Sequence, residues 1–295
     1  MSYFLAISLA ALLGGSVPTL AKYALTVFPT FGLLFIRFFV ACLTLIPLII
    51  KSKELNLKIL KSLAVVGIVG ALNPIILYIA LQFTQASVTP LIYAATPLLT
   101  ALYVSRNKLE TISQNTIKGI IIGLTGVALI IVLPLLTNNG SQQLSLKGNL
   151  LIFVSTIGFT VYGILSKKLS EKIGASPVAL TFYFCLFGLL FSLPFAFNEL
   201  NSGIIILSKI EPAHWLAAIA AGVTGTTLFY LVYQSTVKSG GATAASLFTY
   251  LQPIVGILLP VIFLGDVITM PFIVGAALAV FGVQLATRKT RKILL

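Results

Sequence analysis

The chain is poor in nearly every residue type that carries chemistry. Among 295 residues there are six Asp or Glu, one His, two Cys and one Trp. Two cysteines, Cys42 and Cys185, both inside apolar stretches, build neither a disulfide framework nor a zinc site. They read as small hydrophobes. The lone His214 stands beside Trp215 at the edge of an apolar stretch, where aromatic belts form in membranes. An embedded active site needs acids, histidines or cysteines converging on one point. That supply is missing, so the expectation is no enzyme, no cofactor and no metal. Polar connections are short throughout, and no soluble domain is expected.

What the chain has in abundance is apolar length. Hydrophobic residues make up 58% and charged residues 8%, against roughly 45–50% and 25% in soluble proteins. Stretches of the ~20 residues needed to cross a bilayer recur near 3–24, 29–50, 62–83, 86–105, 115–136, 148–166, 177–197, 214–236, 241–263 and 270–287. The expected fold is an all-α membrane protein of ten transmembrane helices. The first span lacks a basic lead-in and heads the series, so it reads as a helix rather than a signal peptide. The weakest joins are at Thr84-Gln85 and at Lys238 with Gly240-Gly241.

A formal charge of +13 would suggest nucleic acid in a soluble protein. Here it follows from topology. With the N-terminus in the cytoplasm, fifteen Lys and Arg fall in inner loops and the C-terminal tail. Lys22, Lys147 and Lys209 fall outside, and Arg37 lies within a span. That is a strong positive-inside bias. It places both termini in the cytoplasm, Lys147 and Asp266 outside, and nucleic acid out of consideration.

Residues 74–126 align without a gap on 230–282. Ala86 meets Ala242, Leu91 meets Leu247, Pro97 meets Pro253, Glu110 meets Asp266, and Gly119 and Gly126 meet Gly275 and Gly282. The halves, 1–136 and 148–290, each hold five spans. Five is odd, so the second half enters the membrane inverted, as in secondary transporters. Pro97 and Pro253 fall near mid-bilayer, where a helix break frees carbonyls that need protein or water as partners. They read as matched helix breaks, or hinges, beside a cavity between the halves.

Polar residues near those prolines are the candidate lining: Ser16, Asn73, Tyr93, Thr96, Tyr162, Tyr230, Thr249 and Gln252. Thr89, Tyr93, Thr96 and Thr100 follow helical spacing along one face. Hydroxyls also bond to their own preceding turn or glue helices together. Asn73 and Gln252 are costlier to bury without a partner. Arg37 is the one permanent charge inside a span. It either binds a carboxylate or phosphate on a substrate or donates to carbonyls exposed at a break in a neighbouring helix. Glu110 and Asp266 precede helices starting near Ser113 and Thr269, where an acid suits the positive terminus. No carboxylate lies at mid-membrane. Gly119-x-x-x-Gly123 allows close helix approach, within the chain or between two copies.

The chain resembles the drug/metabolite transporter superfamily, and within it the EamA-type ten-helix exporters. Arg37-Phe38, Ala80-Leu81 with Ala86-Ser87 before Pro97, Ala242 and Ala244, Gln252-Pro253, and Leu264-Gly265-Asp266 carry the resemblance. The pattern usually has Gly-Glu after the fourth and ninth helices. Gly265-Asp266 keeps the acid type, whereas Leu109-Glu110 lacks the glycine. The resemblance implies a central cavity lined by helices 1, 3, 4, 6, 8 and 9, and alternating access in an inner membrane. It implies a small-molecule metabolite as substrate, with export of amino acids or related compounds the leading expectation. A lipid or lipid-linked metabolite flippase and a multidrug exporter are the alternatives. A monomer or a homodimer in the bilayer is compatible with it.

Overall fold

A computed structural model describes residues 3–106, 114–136, 142–202 and 210–294, and these form helices with no strand among them. Glu110, with the capping role expected of it, lies outside the described residues, as does Lys209. In order the helices are α1 (Tyr3–Ala24), α2 (Thr30–Lys51), α3 (Leu57–Leu81), α4 (Val88–Tyr93), α5 (Ala95–Arg106), α6 (Gln114–Leu136), α7 (Gln142–Ile173), α8 (Pro177–Asn201), α9 (Pro212–Gly222), α10 (Phe229–Ala245), α11 (Gln252–Leu264) and α12 (Met270–Leu294). Among the described residues six segments are long and apolar enough to cross a bilayer: Leu5–Ala24, Thr30–Lys51, Leu57–Leu81, Ser145–Ile173, Pro177–Asn201 and Pro212–Ser239. Val88–Tyr103, Ile117–Val132, Gln252–Leu264 and Phe272–Gly282 are shorter and apolar. Phe263 and Leu216 are 70% and 69% exposed. Apolar surface on that scale marks a face covered by something other than water, and lipid covers it here.

Local chemistry explains where helices begin. The Asn56 side chain accepts from Ile59 N (2.9 Å) at the start of α3, and Ser176 Oγ accepts from Ala179 N (3.1 Å) at α8. Pro177 and Pro212 occupy first-turn positions where no backbone donor is needed. His214 departs from the belt reading. It is buried and stacked on Tyr23 at 4.7 Å, and its Nδ1 accepts from Glu211 N (3.1 Å), closing a capping box on α9. Only Trp215 stays at the surface.

Two other expectations need correction. The break at Gly240-Gly241 does not occur. Helix α10 runs through both glycines to Ala245, and the chain turns only at a 3-10 segment, Ser246–Tyr250. Asp266 does not cap α12. Thr269 Oγ1 takes that position, accepting from Phe272 N at 3.4 Å. Asp266 Oδ2 instead accepts from Ser87 N (2.8 Å), just before α4. Beside it Lys22 donates to the carbonyls of Leu81 and Thr84. The Gln85 amide, turned so that Oε1 accepts from Val267 N (3.2 Å), donates back to Val267 O (3.3 Å).

The glycine stripes meet within one chain. Helices α6 and α12 share the most extensive helix contact, followed by α2 with α8 and α3 with α7. A Cβ on Gly126 would stand 2.4 Å from Ala279 N, and one on Gly282 would stand 2.2 Å from Gly123 N. Backbone thus meets backbone, and the Gly119–Gly123 seam is filled by α12 rather than by a second copy.

Candidate functional site

Three departures from regular α-helix surround one cavity. Helix α4 ends at Tyr93, and α5 restarts at Ala95 with Pro97 in its first turn. Pro253 holds the corresponding place at the start of α11, after the 3-10 segment. The third departure is a π-helical turn, Val223–Leu228, between α9 and α10. Its register shows in Phe229 N, which donates to the carbonyl five residues back, Thr224 O, and Thr226 Oγ1 donates to Ala221 O at 2.9 Å. Such turns are rare and cluster at functional sites. The cavity is small and has both polar and apolar groups on its wall. It is walled by Gly14, Val17 and Pro18 from α1, Arg37 from α2, and Asn73, Pro74 and Leu77 from α3. Thr89 and Tyr93 come from α4 and Phe159 from α7. Gly225, Phe229, Tyr230, Phe248 and Gln252 complete it.

Asn73 is the hub of the polar wall. Its Nδ2 donates to Tyr93 Oη (2.6 Å), Ser155 O (2.8 Å) and Ser155 Oγ (2.9 Å). Tyr230 Oη donates to Asn73 Oδ1 at 3.1 Å. Ser155 Oγ lies within hydrogen-bonding distance of Asn73 O (2.7 Å) and of Tyr93 Oη (2.8 Å). Helices α3, α4, α7 and α10 are therefore tied together at one buried point. Inside a low-dielectric core such a network, once satisfied, fixes a single arrangement. Below it Phe159 stacks or packs edge-on against Tyr93, Phe229, Tyr230, Tyr233 and Phe248, with centroids 4.8–6.3 Å away.

Arg37 is 2% exposed and lies between a helix irregularity and the cavity. Its Nε donates to Thr226 Oγ1 (2.6 Å) and its Nη2 to Gly225 O (3.4 Å), so it does bond at a helix irregularity. Its guanidinium lies 5.0 Å from the Tyr78 ring centroid, a cation–π geometry. It also lines the cavity, and its Nη1 has no hydrogen-bond partner.

Of the residues singled out in the sequence, Asn73, Tyr93, Tyr230, Gln252 and Arg37 are brought together on this wall. Ser16, Thr96, Tyr162 and Thr249 are not on it. Ser16 Oγ turns back to Leu13 O at 2.9 Å, and its neighbours Gly14 and Val17 face the cavity instead. Thr249 Oγ1 bonds Ser246 O at 2.8 Å within the 3-10 turn. Thr96 follows the break at Ala94, which ends the common face with Thr89 and Tyr93. Tyr162 sits behind the wall, packed on Phe184 and Tyr230 at 5.6 and 5.9 Å, its ring in the notch left by Gly70. Pro97 and Pro253 set the breaks without lining the cavity. Ser155 and Phe159 were missed. Nothing marks one serine or one phenylalanine among many in an apolar span, and only the partner at Asn73 identifies Ser155.

Among the described residues no group of three or more His, Cys, Asp or Glu is placed to hold a metal. The wall is made for hydrogen bonding and for apolar contact, with one fixed positive charge.

Comparison with known proteins agrees with this architecture. The model of the EamA-like transporter family matches residues 1–132 and 146–288. The uncharacterized transporter YetK of Bacillus subtilis (strain 168) is 25% identical over 99% of this chain and 88% of its own length. An uncharacterized transporter of Archaeoglobus fulgidus is 23% identical over 98% of this chain and all of its own. One solved crystal structure superposes with a TM-score of 0.67 at 20% identity, over 98% of each chain, and at that identity the likeness is one of fold.

Proposed function

From the chain's place in the EamA-like transporter family, to which it belongs, we propose that it is an inner-membrane secondary carrier. It works by alternating access and exports amino acids or related small compounds. The observation that carries the reading is the cavity itself. It is buried, partly polar, and bounded by three helix irregularities, the arrangement expected where a carrier binds its cargo. Gln252 bonds the substrate on a wall that Asn73, Tyr93 and Tyr230 hold in shape, while Phe229 and Phe248 cover its apolar part. Uptake into proteoliposomes of a panel of labelled amino acids tests this, and a panel with no transported member removes the amino acid assignment.

We also propose that residues 1–136 and 148–290 are inverted five-span halves with both termini cytoplasmic. In support, α2 packs on α8 and α6 on α12, and the contact of α3 with α7 has its counterpart in that of α1 with α9 and α10. Cysteine introduced at Thr26 or Lys147 should react with an impermeant maleimide in intact cells, and at Lys53 or Lys172 should not. Background from Cys42 and Cys185 is low because both are buried. Labelling at Lys53 would reverse the topology.

Coupling follows from the acids. Glu54, Glu171, Glu199, Glu211 and Asp266 all lie away from the cavity wall, so among the described residues no carboxylate is placed to carry a proton through it. Exchange or facilitated movement is expected. A pH gradient imposed on liposomes should leave the accumulated substrate within about twofold of the ungraded level, a ~0.4 kcal/mol difference. Strong concentrative uptake would contradict this.

A further inference from the structure

We infer that the cavity takes a substrate bearing a single carboxylate, which docks on Arg37 Nη1, and that it rejects organic cations. In calling that ligand a substrate we rest on the carrier reading. The charge balance comes first. Arg37 is buried, yet its two hydrogen-bonded nitrogens meet only neutral groups, Thr226 Oγ1 and Gly225 O. The described acids are engaged elsewhere. Glu54 accepts from Ser176 N, Glu199 from Gly32 N and Asp266 from Ser87 N. Glu171 pairs with Lys167, and Glu211 caps α9. Among the described residues no anion therefore meets the charge of Arg37, a costly state unless a ligand completes it.

The geometry narrows the ligand. Arg37 Nη1 and Gln252 Oε1 both lack partners, both side chains are more than nine-tenths buried, and both line the same space. Thr89 Oγ1, also on the wall, lacks a partner too. The Thr226 and Gly225 bonds hold the guanidinium so that one donor edge remains, which suits one oxygen of a carboxylate. Gln252 Oε1 only accepts, so the ligand must also bring an N–H or O–H at another point. An α-amino or α-hydroxy acid meets both demands. A doubly charged phosphate would overcompensate the lone cation, and an amine without a carboxylate would face Arg37 unpaired. Phe229 and Phe248, on the same wall, suit an apolar remainder.

The test uses the smallest carboxylate and does not depend on transport. Melting of the full-length protein in detergent is followed with sodium acetate, acetamide and ethylammonium chloride at matched ionic strength. Acetate near 100 mM should raise the melting temperature by about 2–4 °C, and acetamide and ethylammonium should not. Arg37→Gln should abolish the acetate shift. If acetamide matches acetate, or if Arg37→Gln keeps the shift, the inference falls. Should Arg37→Gln fail to fold, Gln252→Glu supplies an internal carboxylate to the same cavity and should cancel the acetate response. An undiminished response there also overturns it. An acetate response in a protein that moves nothing across vesicles would keep the anion site and sink the carrier reading. Transport without an acetate preference would do the reverse.

Discussion

Gly282→Leu should leave no monodisperse protein after detergent extraction. Helices α6 and α12 approach until a Cβ at Gly282 would fall 2.2 Å from Gly123 N and 2.3 Å from its Cα. Those are backbone atoms, so no rotamer change relieves the contact and one helix must move. Even Gly282→Ala should cost about 1–3 kcal/mol by overpacking, and the three further carbons of leucine add to it. In lipid this loss is not softened, because helix association there rests on close packing rather than on a hydrophobic drive. Gly158→Ala is the control, since its Cβ would meet only Asn73 Cβ, at 4.0 Å. Size-exclusion profiles of the two variants give the comparison. A monodisperse peak for Gly282→Leu at wild-type yield would mean that the two helices do not cross this closely.

Asn73→Ala should remove most transport while leaving an extractable protein. Asn73 spends both its donor and its acceptor capacity in the wall, toward Tyr93, Ser155 and Tyr230. Without it Tyr230 Oη loses its bond at that site, while Tyr93 Oη keeps its short contact with Ser155 Oγ. A buried group left without a partner costs about 1–3 kcal/mol. If even ~1.4 kcal/mol of this falls on the binding-competent arrangement, the rate drops about tenfold. Asn73→Asp keeps the size and the acceptor but loses the donors. It also puts a negative charge in the cavity that holds Arg37, so it should fail as well. Flux in proteoliposomes, normalised to folded protein, is the measurement. Wild-type flux in Asn73→Ala would detach this network from function.

The sequence and the structure agree most closely where the signal is one-dimensional. Apolar run length placed α1, α2, α6 and α8 to within a few residues, because crossing a bilayer demands length and little else. Pro97 and Pro253 announced the two breaks, since each lacks the amide that would continue the preceding helix. Gly240-Gly241 misled, because glycine in a helix costs only ~1 kcal/mol relative to alanine and tertiary contacts override it. Asp266 misled for a different reason. Its charge suits any nearby helix start, and the start it serves belongs to α4, far away in sequence.

What the sequence by itself determined is the class of molecule: an all-helical membrane protein with a cation, Arg37, inside an apolar span. Those properties depend on composition and on the order of apolar and charged residues along a line. Which hydroxyls reach the cavity was decided only by the tertiary structure. A regular helix turns by ~100° per residue, so one π turn at Val223–Leu228 or one 3-10 turn at Ser246–Tyr250 re-aims every side chain beyond it. That is why Thr249 left the wall that Gln252 kept, just as the break at Ala94 parts Thr96 from Thr89. The free edge of Arg37 has the same origin, for it exists because Thr226 and Gly225, nearly 190 positions along the chain, hold the other two nitrogens.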